Sequence, residues 1–254
     1  YAPFTTSTLQ QDAARKLGFT TKRTMMVAKG LYEGVKINDR ETVGLITYMR
    51  TDSTRISEEA RAAAKEAILE RYGEEYYPAK PNIYAGRKNA QDAHEAIRPT
   101  YVQHTPQSLK DCLTAEQYKL YNLIYTRFLA SQMAPAKYDT MSYSLDAAGY
   151  TFRASFSKLK FPGYLAVYKE EEAPSDEKVN LSMPPMGEGD HCLAREITPK
   201  QNFTSPPARY TEASLVHTLE ELGIGRPSTY APTISTILDR KYVKKEKKMI
   251  VPTE

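Results

Sequence analysis

The sequence predicts a mixed, multi-part α and β protein: a helix-rich stretch, a strand-rich stretch, then a short helical unit that ends in a basic hairpin. Three observations predict it. Apolar residues recur at helical spacing before residue 137, the pattern changes to alternation near Tyr138, and a lysine run follows two short helical patterns at the C-terminal end. The first helix is expected over Thr8–Gly18, which carries a cap and a terminal glycine. The second runs over Lys22–Tyr32, with Met25, Met26, Ala28 and Leu31 at helical spacing. Residues 34–43 carry turn residues, and Gly44–Arg50 reads as short and extended. Asp52 or Ser53 to Ser57 reads as turn and cap before an alanine-rich helix from about Glu58 to Tyr72, stopped by Gly73.

Residues 76–89, rich in Pro, Gly and Asn, read as loop, and Asp92–Arg98 as a short helical piece ended by Pro99. Thr114–Met133 is the next strong helix. Its stripe of Tyr118, Tyr121, Tyr125 and Phe128 has the geometry to stack on bases, but such a stripe is expected to be core. Thr140–Leu145 and Tyr150–Phe156 alternate around Ala148-Gly149, a hairpin signal. Gly163–Tyr168 and His191–Ile197 are further strand candidates. Thr211 is an N-cap for a helix over Glu212–Leu222, and Gly223–Pro227 is a tight connector. Ser228 or Thr229 caps a second helix to about Arg240 that tolerates Pro232 in its first turn. Tyr242-Val243 and Met249–Val251 then flank the lysines as two short strands. Two helices, a tight turn and a basic hairpin have the look of a winged helix-turn-helix.

Composition bounds the function classes. The chain has 254 residues, 41% of them hydrophobic, and a mean hydropathy of −0.58, the profile of a soluble globular protein with more than one compact unit. No apolar stretch approaches the roughly 20 residues that span a bilayer. The opening Tyr1–Thr6 has neither the basic start nor the apolar core of a signal peptide. The absence of an initial Met reads as the mark of an excised or processed piece. Two cysteines, Cys112 and Cys192, form no CxxC pair and speak against a disulfide scaffold or zinc ribbon in this segment and for a reducing cytosol. The net charge of +4 permits a polyanionic partner. Its distribution is more telling: residues 169–190 carry seven acids against two lysines, whereas 240–248 carry six bases against Glu246. The acidic stretch reads as a solvated loop and the basic one as a face for phosphates.

Three segments hold residue types suited to phosphate chemistry. In an extended Ile46–Ser53, Tyr48 and Arg50 project together. A phenol with a pKa of about 10 is a poor nucleophile at neutral pH; a neighbouring guanidinium favours the phenolate and binds a phosphate oxygen. Spacing alone does not select this pair, since Tyr with Arg two residues on is common. On a helical turn His94 and Arg98 would share a face, able to bind a phosphate and move a proton, or merely to end a surface helix. Gly223–Tyr230, with Arg226, Ser228 and Thr229 at a helix start, makes a phosphate-binding corner or simply a turn.

Resemblance separates these alternatives. Gly44-Leu45-Ile46-Thr47-Tyr48-Met49-Arg50-Thr51-Asp52-Ser53 resembles the active-site tyrosine motif of the type IA DNA topoisomerases almost letter for letter. Met49 points to the bacterial topoisomerase I branch over topoisomerase III, which usually has Pro there. Asp92–Pro99 resembles the family's second motif; Pro207–Val216, Gly223–Tyr230 and Ile234–Val243 resemble its third, and Pro3–Gln11 also fits. The resemblance implies that Tyr48 attacks single-stranded DNA to form a 5′-phosphotyrosine, with Arg50 and His94 assisting at the scissile phosphate. Arg226, Ser228, Thr229 and Arg240 match positions that touch the DNA backbone. It also implies strand passage that relaxes negative supercoils of underwound duplex without ATP, by a monomer at the cytoplasmic nucleoid, with no membrane partner.

The implied architecture is a helical, winged-helix-like tyrosine domain (11–137) inserted in a β-rich antiparallel connecting or hinge domain (1–10 and 138–200). A helical, winged-helix-like DNA-binding part (201–254) follows, the whole forming part of the family's arch. Opening residues are expected to pair with the β-rich unit. The family's Mg²⁺ site, a Glu with an Asp-x-Asp set on a Toprim domain, has no match here, nor do its basic N-terminal lysine or its zinc ribbons. The chain thus reads as a central fragment that binds no Mg²⁺ itself and is inactive alone in relaxation. A non-catalytic winged-helix DNA-binding module would explain the basic hairpin but leave the other two motifs idle. A tyrosine recombinase or type IB enzyme normally places its Tyr after its His, whereas Tyr48 precedes His94.

Overall fold

The computed structural model describes residues 1–38, 41–84, 94–169 and 186–254. Hydroxyl caps start most of its helices. Thr5 caps α1 (Thr6–Asp12) in a reciprocal box with Thr8, so this helix begins two residues before the expected Thr8. A π-helical turn, Ala13–Leu17, continues it to Gly18, whose φ of +67° ends it in the left-handed region. Thr20 caps α2 (Thr21–Glu33), and residues of the expected turn region form a small hairpin, β1 (Val35–Asn38) with β2 (Glu41–Val43). Ser57 caps α3 (Glu58–Tyr72), which stops before Gly73 as expected. Thr114 and Gln117 box the start of α4 (Ala115–Gln132).

The main core lies among these helices. Ala28 and Leu31 of α2, Ala64 and Ile68 of α3, and Leu120, Ile124 and Phe128 of α4 are buried in it with Phe4, Leu9, Leu45 and Ile97. Of the two methionines on α2, Met25 packs partly against the core and Met26 stays exposed. The aromatic stripe of α4 is core: Tyr121 and Tyr125 are buried, and each donates its hydroxyl to a backbone carbonyl, His104 at 2.6 Å and Val102 at 2.7 Å. Burial pushes the Tyr121 phenol well above its ordinary value near 10, and the neighbouring Tyr125 adds to this. Tyr168 is raised as well, by burial and by its hydrogen bond to Asp12. Both phenols therefore stay protonated in the fold at a pH where an unfolded chain already loses them. Stability is expected to be level below pH 10 and to fall as pH rises through about 10. Thermal melts from pH 8 to 11 check this, and Tyr121→Phe should flatten the decline.

The hairpin near Ala148-Gly149 is longer than its alternation suggested: β3 (Lys137–Ala147) pairs antiparallel with β4 (Tyr150–Phe161). Ala148 (φ +52°) and Gly149 (φ +83°) form its two-residue turn. Two expected strands are absent. Gly163–Ala166 is a 3₁₀ turn, because Gly163 takes φ +50° directly against the backbone of Ala134 and Pro135. Residues 191–197 adopt no helix or strand and are exposed. The opening residues, expected to pair with the β-rich unit, add no strand to the β3–β4 sheet. Phe4 makes an isolated antiparallel bridge to Ile97. Tyr1 packs its ring on Tyr164 and Tyr168, beyond the hairpin.

The C-terminal unit has the anticipated element order: α5 (Glu212–Glu221), α6 (Tyr230–Asp239), β5 (Val243–Glu246) and β6 (Met249–Pro252). Val216, Tyr230 and Ile234 form its own small core. It docks on α1 and α2 through polar anchors. Ser7 donates to Glu220 at 2.5 Å, and the buried Glu212 accepts the Thr21 N–H at 2.6 Å while pairing with Lys245. The observed architecture is therefore mixed α/β, with six α-helices and three two-stranded antiparallel sheets among the described residues. None of its described helices is long and apolar enough to cross a membrane.

Candidate functional site

Tyr48 sits on a segment clamped from both sides. On one side Thr6 reaches 45 residues along the chain. Its N–H donates to the Thr51 carbonyl (2.9 Å), its hydroxyl donates to the Met49 carbonyl (2.8 Å), and the same hydroxyl accepts the Thr51 N–H (2.8 Å). On the other side Thr47 donates its hydroxyl to Ala96 (2.6 Å) and its N–H to Arg98 (3.0 Å), and accepts the Arg98 N–H (3.0 Å). Ile46 bridges Pro99, and the Ala96 N–H donates to the Arg55 carbonyl at 2.8 Å. These bonds use backbone groups that would otherwise be buried unpaired, and they fix where Tyr48 and His94 stand.

Only Ile46 of the expected extended stretch has a strand partner; residues 47, 49 and 50 are bends. The alternation survives nonetheless. Met49 is buried, whereas Tyr48 and Arg50 both line a cleft of about 520 Å³. His94 lines it too, its ring 5.1 Å from that of Tyr48 and tilted by 30°. From the far side come Arg226, Pro227 and Ser228 of the connector between α5 and α6. Two guanidinium groups, an imidazole, a phenol and two hydroxyls thus converge on one opening beside the carboxylate of Asp52, a set suited to a phosphodiester.

The helical reading of Asp92–Arg98 fails over its described part. His94–Arg98 is irregular, because Ala96 and Ile97 spend their N–H groups on Arg55 and Phe4 rather than on a helix. Asp92 lies outside the described residues. Arg98 consequently shares no helical face with His94. It pairs with Glu95 at 2.6 Å and donates to the Pro99 carbonyl, which makes it a brace for the segment. Of the backbone-contact candidates, Arg226 and Ser228 line the cleft, and Thr229 and Arg240 are not among its lining residues. Thr229 holds the N-cap position of α6 but does not cap it. Its hydroxyl accepts the Arg226 N–H at 2.8 Å instead, shaping the corner that presents Arg226. Gly225 permits this with φ +85°; a Cβ there would lie 2.9 Å from the Thr229 hydroxyl. Arg240 is exposed at the opposite end of α6.

Some site residues were not singled out by the sequence. Tyr32 packs edge-on against Tyr48 at 5.4 Å, and Thr51 and Asp52 line the cleft. Thr6 could be identified as a helix start but not as a clamp, since hydroxyl-to-backbone bonds over such separations leave no local pattern. Asp52 is the single carboxylate among the described residues of the cleft. Among the described residues no three His, Cys, Asp or Glu side chains gather into a cluster that could hold a metal ion.

The cleft pairs an anchored tyrosine with arginines from two units of the chain, and the whole of residues 1–254 matches the family model described as DNA topoisomerase. The chain belongs to this family, in its type IA branch. It is similar to the full-length topoisomerase I of Thermotoga maritima, solved in a monoclinic crystal form. The identity is 43% and the TM-score 0.83, over 99% of this chain and 40% of that one. The chain thus spans about 40% of the length of the protein it matches.

Proposed function

We propose that this chain carries the nucleophile and part of the phosphate cradle of a type IA topoisomerase that relaxes negatively supercoiled DNA without ATP. Convergence of Tyr48, Arg50 and His94 with Arg226 and Ser228 on one cleft carries the reading. The Tyr48 phenol loses its proton and its oxygen bonds to the phosphorus of a single-stranded DNA phosphodiester. The bond from phosphorus to the 3′ oxygen breaks, that oxygen takes up a proton, and a 5′-phosphotyrosine remains. Arg50 and Arg226 neutralise charge growing on the phosphoryl oxygens, and His94 hydrogen-bonds beside Tyr48 and assists proton movement. Thr229 holds the Arg226 corner, and Arg240 extends contact along the DNA backbone. Resealing reverses these steps after a strand has passed.

In this reading residues 11–137 are the tyrosine unit. Residues 1–10 with 138–200 form the β-rich connecting part, and 201–254 a winged-helix-like DNA-binding part. The protein works as a monomer on nucleoid DNA in the cytoplasm. Mg²⁺ belongs to the family's chemistry, and its carboxylates come from residues other than these 254. The full-length protein with Mg²⁺ is expected to relax a negatively supercoiled plasmid without ATP, whereas the 254-residue segment alone leaves it supercoiled. Relaxation by the segment, or its absence from the full-length protein, would contradict this.

A further inference from the structure

A second cleft, of about 310 Å³, opens where the π-helical turn after α1 faces the start of α5 and the hairpin β5–β6. Among the described residues its charged lining is Arg15, Lys245, Lys247 and Lys248 against the carboxylate of Glu212, and Arg15 also pairs with Asp12 at 3.6 Å. Three details set it apart from an ordinary solvated face. The cations converge from elements more than 200 residues apart, although bringing like charges together is unfavourable without a counter-charge. Lys245 is held in place by the buried Glu212, while Lys247 and Lys248 have no ion-pair partner among the described residues. Lys247 and Lys248 also form the two-residue turn of the hairpin, and Lys247 takes φ +57° there. Gly or Asn would be the relaxed choice at such a position, so the turn keeps positive charge at the expense of its own preference. Thr20 and Thr211, the N-caps of α2 and α5, line the same cleft and direct two helix N-termini towards it.

We infer that this cleft is a second DNA-backbone site, holding phosphates of the strand that runs on from the Tyr48 cleft. The two clefts lie at opposite ends of α5, whose ten residues span about 15 Å. That is a separation of a few nucleotides along a single strand. The inference rests on the DNA reading of the Tyr48 cleft. The test therefore uses the full-length protein, with the double variant Lys247→Gln/Lys248→Gln and, separately, Lys247→Gly, which removes a charge while relaxing the turn. Binding of a long single strand is followed against salt, and Tyr48-dependent cleavage is followed on an oligonucleotide too short to leave the first cleft.

Loss of two phosphate contacts should make the log–log salt dependence shallower by about 1.4 for the double variant and about 0.7 for Lys247→Gly. Long-strand affinity should fall in both, and short-oligonucleotide cleavage should remain at the parent level. An unchanged slope in both variants would overturn the inference, as would loss of short-oligonucleotide cleavage. A parent protein that forms no adduct through Tyr48 would instead refute the topoisomerase reading.

Discussion

Tyr48→Phe abolishes DNA cleavage and leaves DNA binding near the parent level: this is the expected result for the full-length protein. The substitution removes one oxygen. Tyr48 is half-buried, and its ring contacts with Tyr32 and His94 do not involve the hydroxyl, so Phe keeps the packing. Arg50, Arg226 and Ser228 remain to hold phosphate. Phe has no oxygen to bond the phosphorus, so the rate should fall to background, by on the order of 10⁶-fold or more. Detergent-trapped covalent complexes measure the first property and fluorescence anisotropy the second. A winged-helix module without catalysis would show no difference between the two proteins, and residual cleavage near the parent rate would remove Tyr48 from the mechanism.

Arg127→Ala is expected to cause the largest loss of stability of any single charge removal. The Arg127 side chain is 9% exposed and ties together four parts of the chain. Its Nε donates to the Ala2 carbonyl at 2.7 Å, and one Nη lies 3.3 Å from Asp12 and 3.2 Å from the Tyr168 hydroxyl, which itself donates to Asp12. The guanidinium also lies over the rings of Tyr1, Phe4 and Tyr168. Truncation leaves the Asp12 carboxylate, 14% exposed, with only the more exposed Arg15 at 3.6 Å as counter-charge. Breaking a buried pair in this way costs about 3–5 kcal/mol, which lowers Tm by on the order of 10 °C in a protein of this size. Calorimetry checks it; a shift under 2 °C would show that Tyr168 and Arg15 compensate Asp12 without Arg127.

Local signals were legible and long-range ones were not. Ser57 with Gly73, and Thr114 with Gln117, mark their helices because caps act within one turn. Ala148-Gly149 marked the long hairpin for the same reason, since both residues must adopt positive φ. His94 and Arg98 misled because helical spacing presumes a helix, and that segment gives its N–H groups to Phe4 and Arg55. Gly163 looked like the start of a strand, but its role is to let the chain pass against Ala134. His191–Ile197 has strand-like alternation with no strand beside it among the described residues. Arg226 was visible as a basic residue at a helix start; that it faces Tyr48 follows from docking through Ser7–Glu220 and Thr21–Glu212, contacts that no sequence period announces.

The central claim is that Tyr48 forms the covalent bond to DNA. The most direct measurement traps the full-length protein on a single-stranded oligonucleotide, digests the complex and locates the nucleotide by mass spectrometry. One modified peptide is predicted, containing residues 44–53, with the phosphate on Tyr48 and the label of the fragment on the 3′ side of the break, whose new 5′ end that phosphate carries. A modified residue other than Tyr48, or a 3′-phosphate linkage, would contradict it.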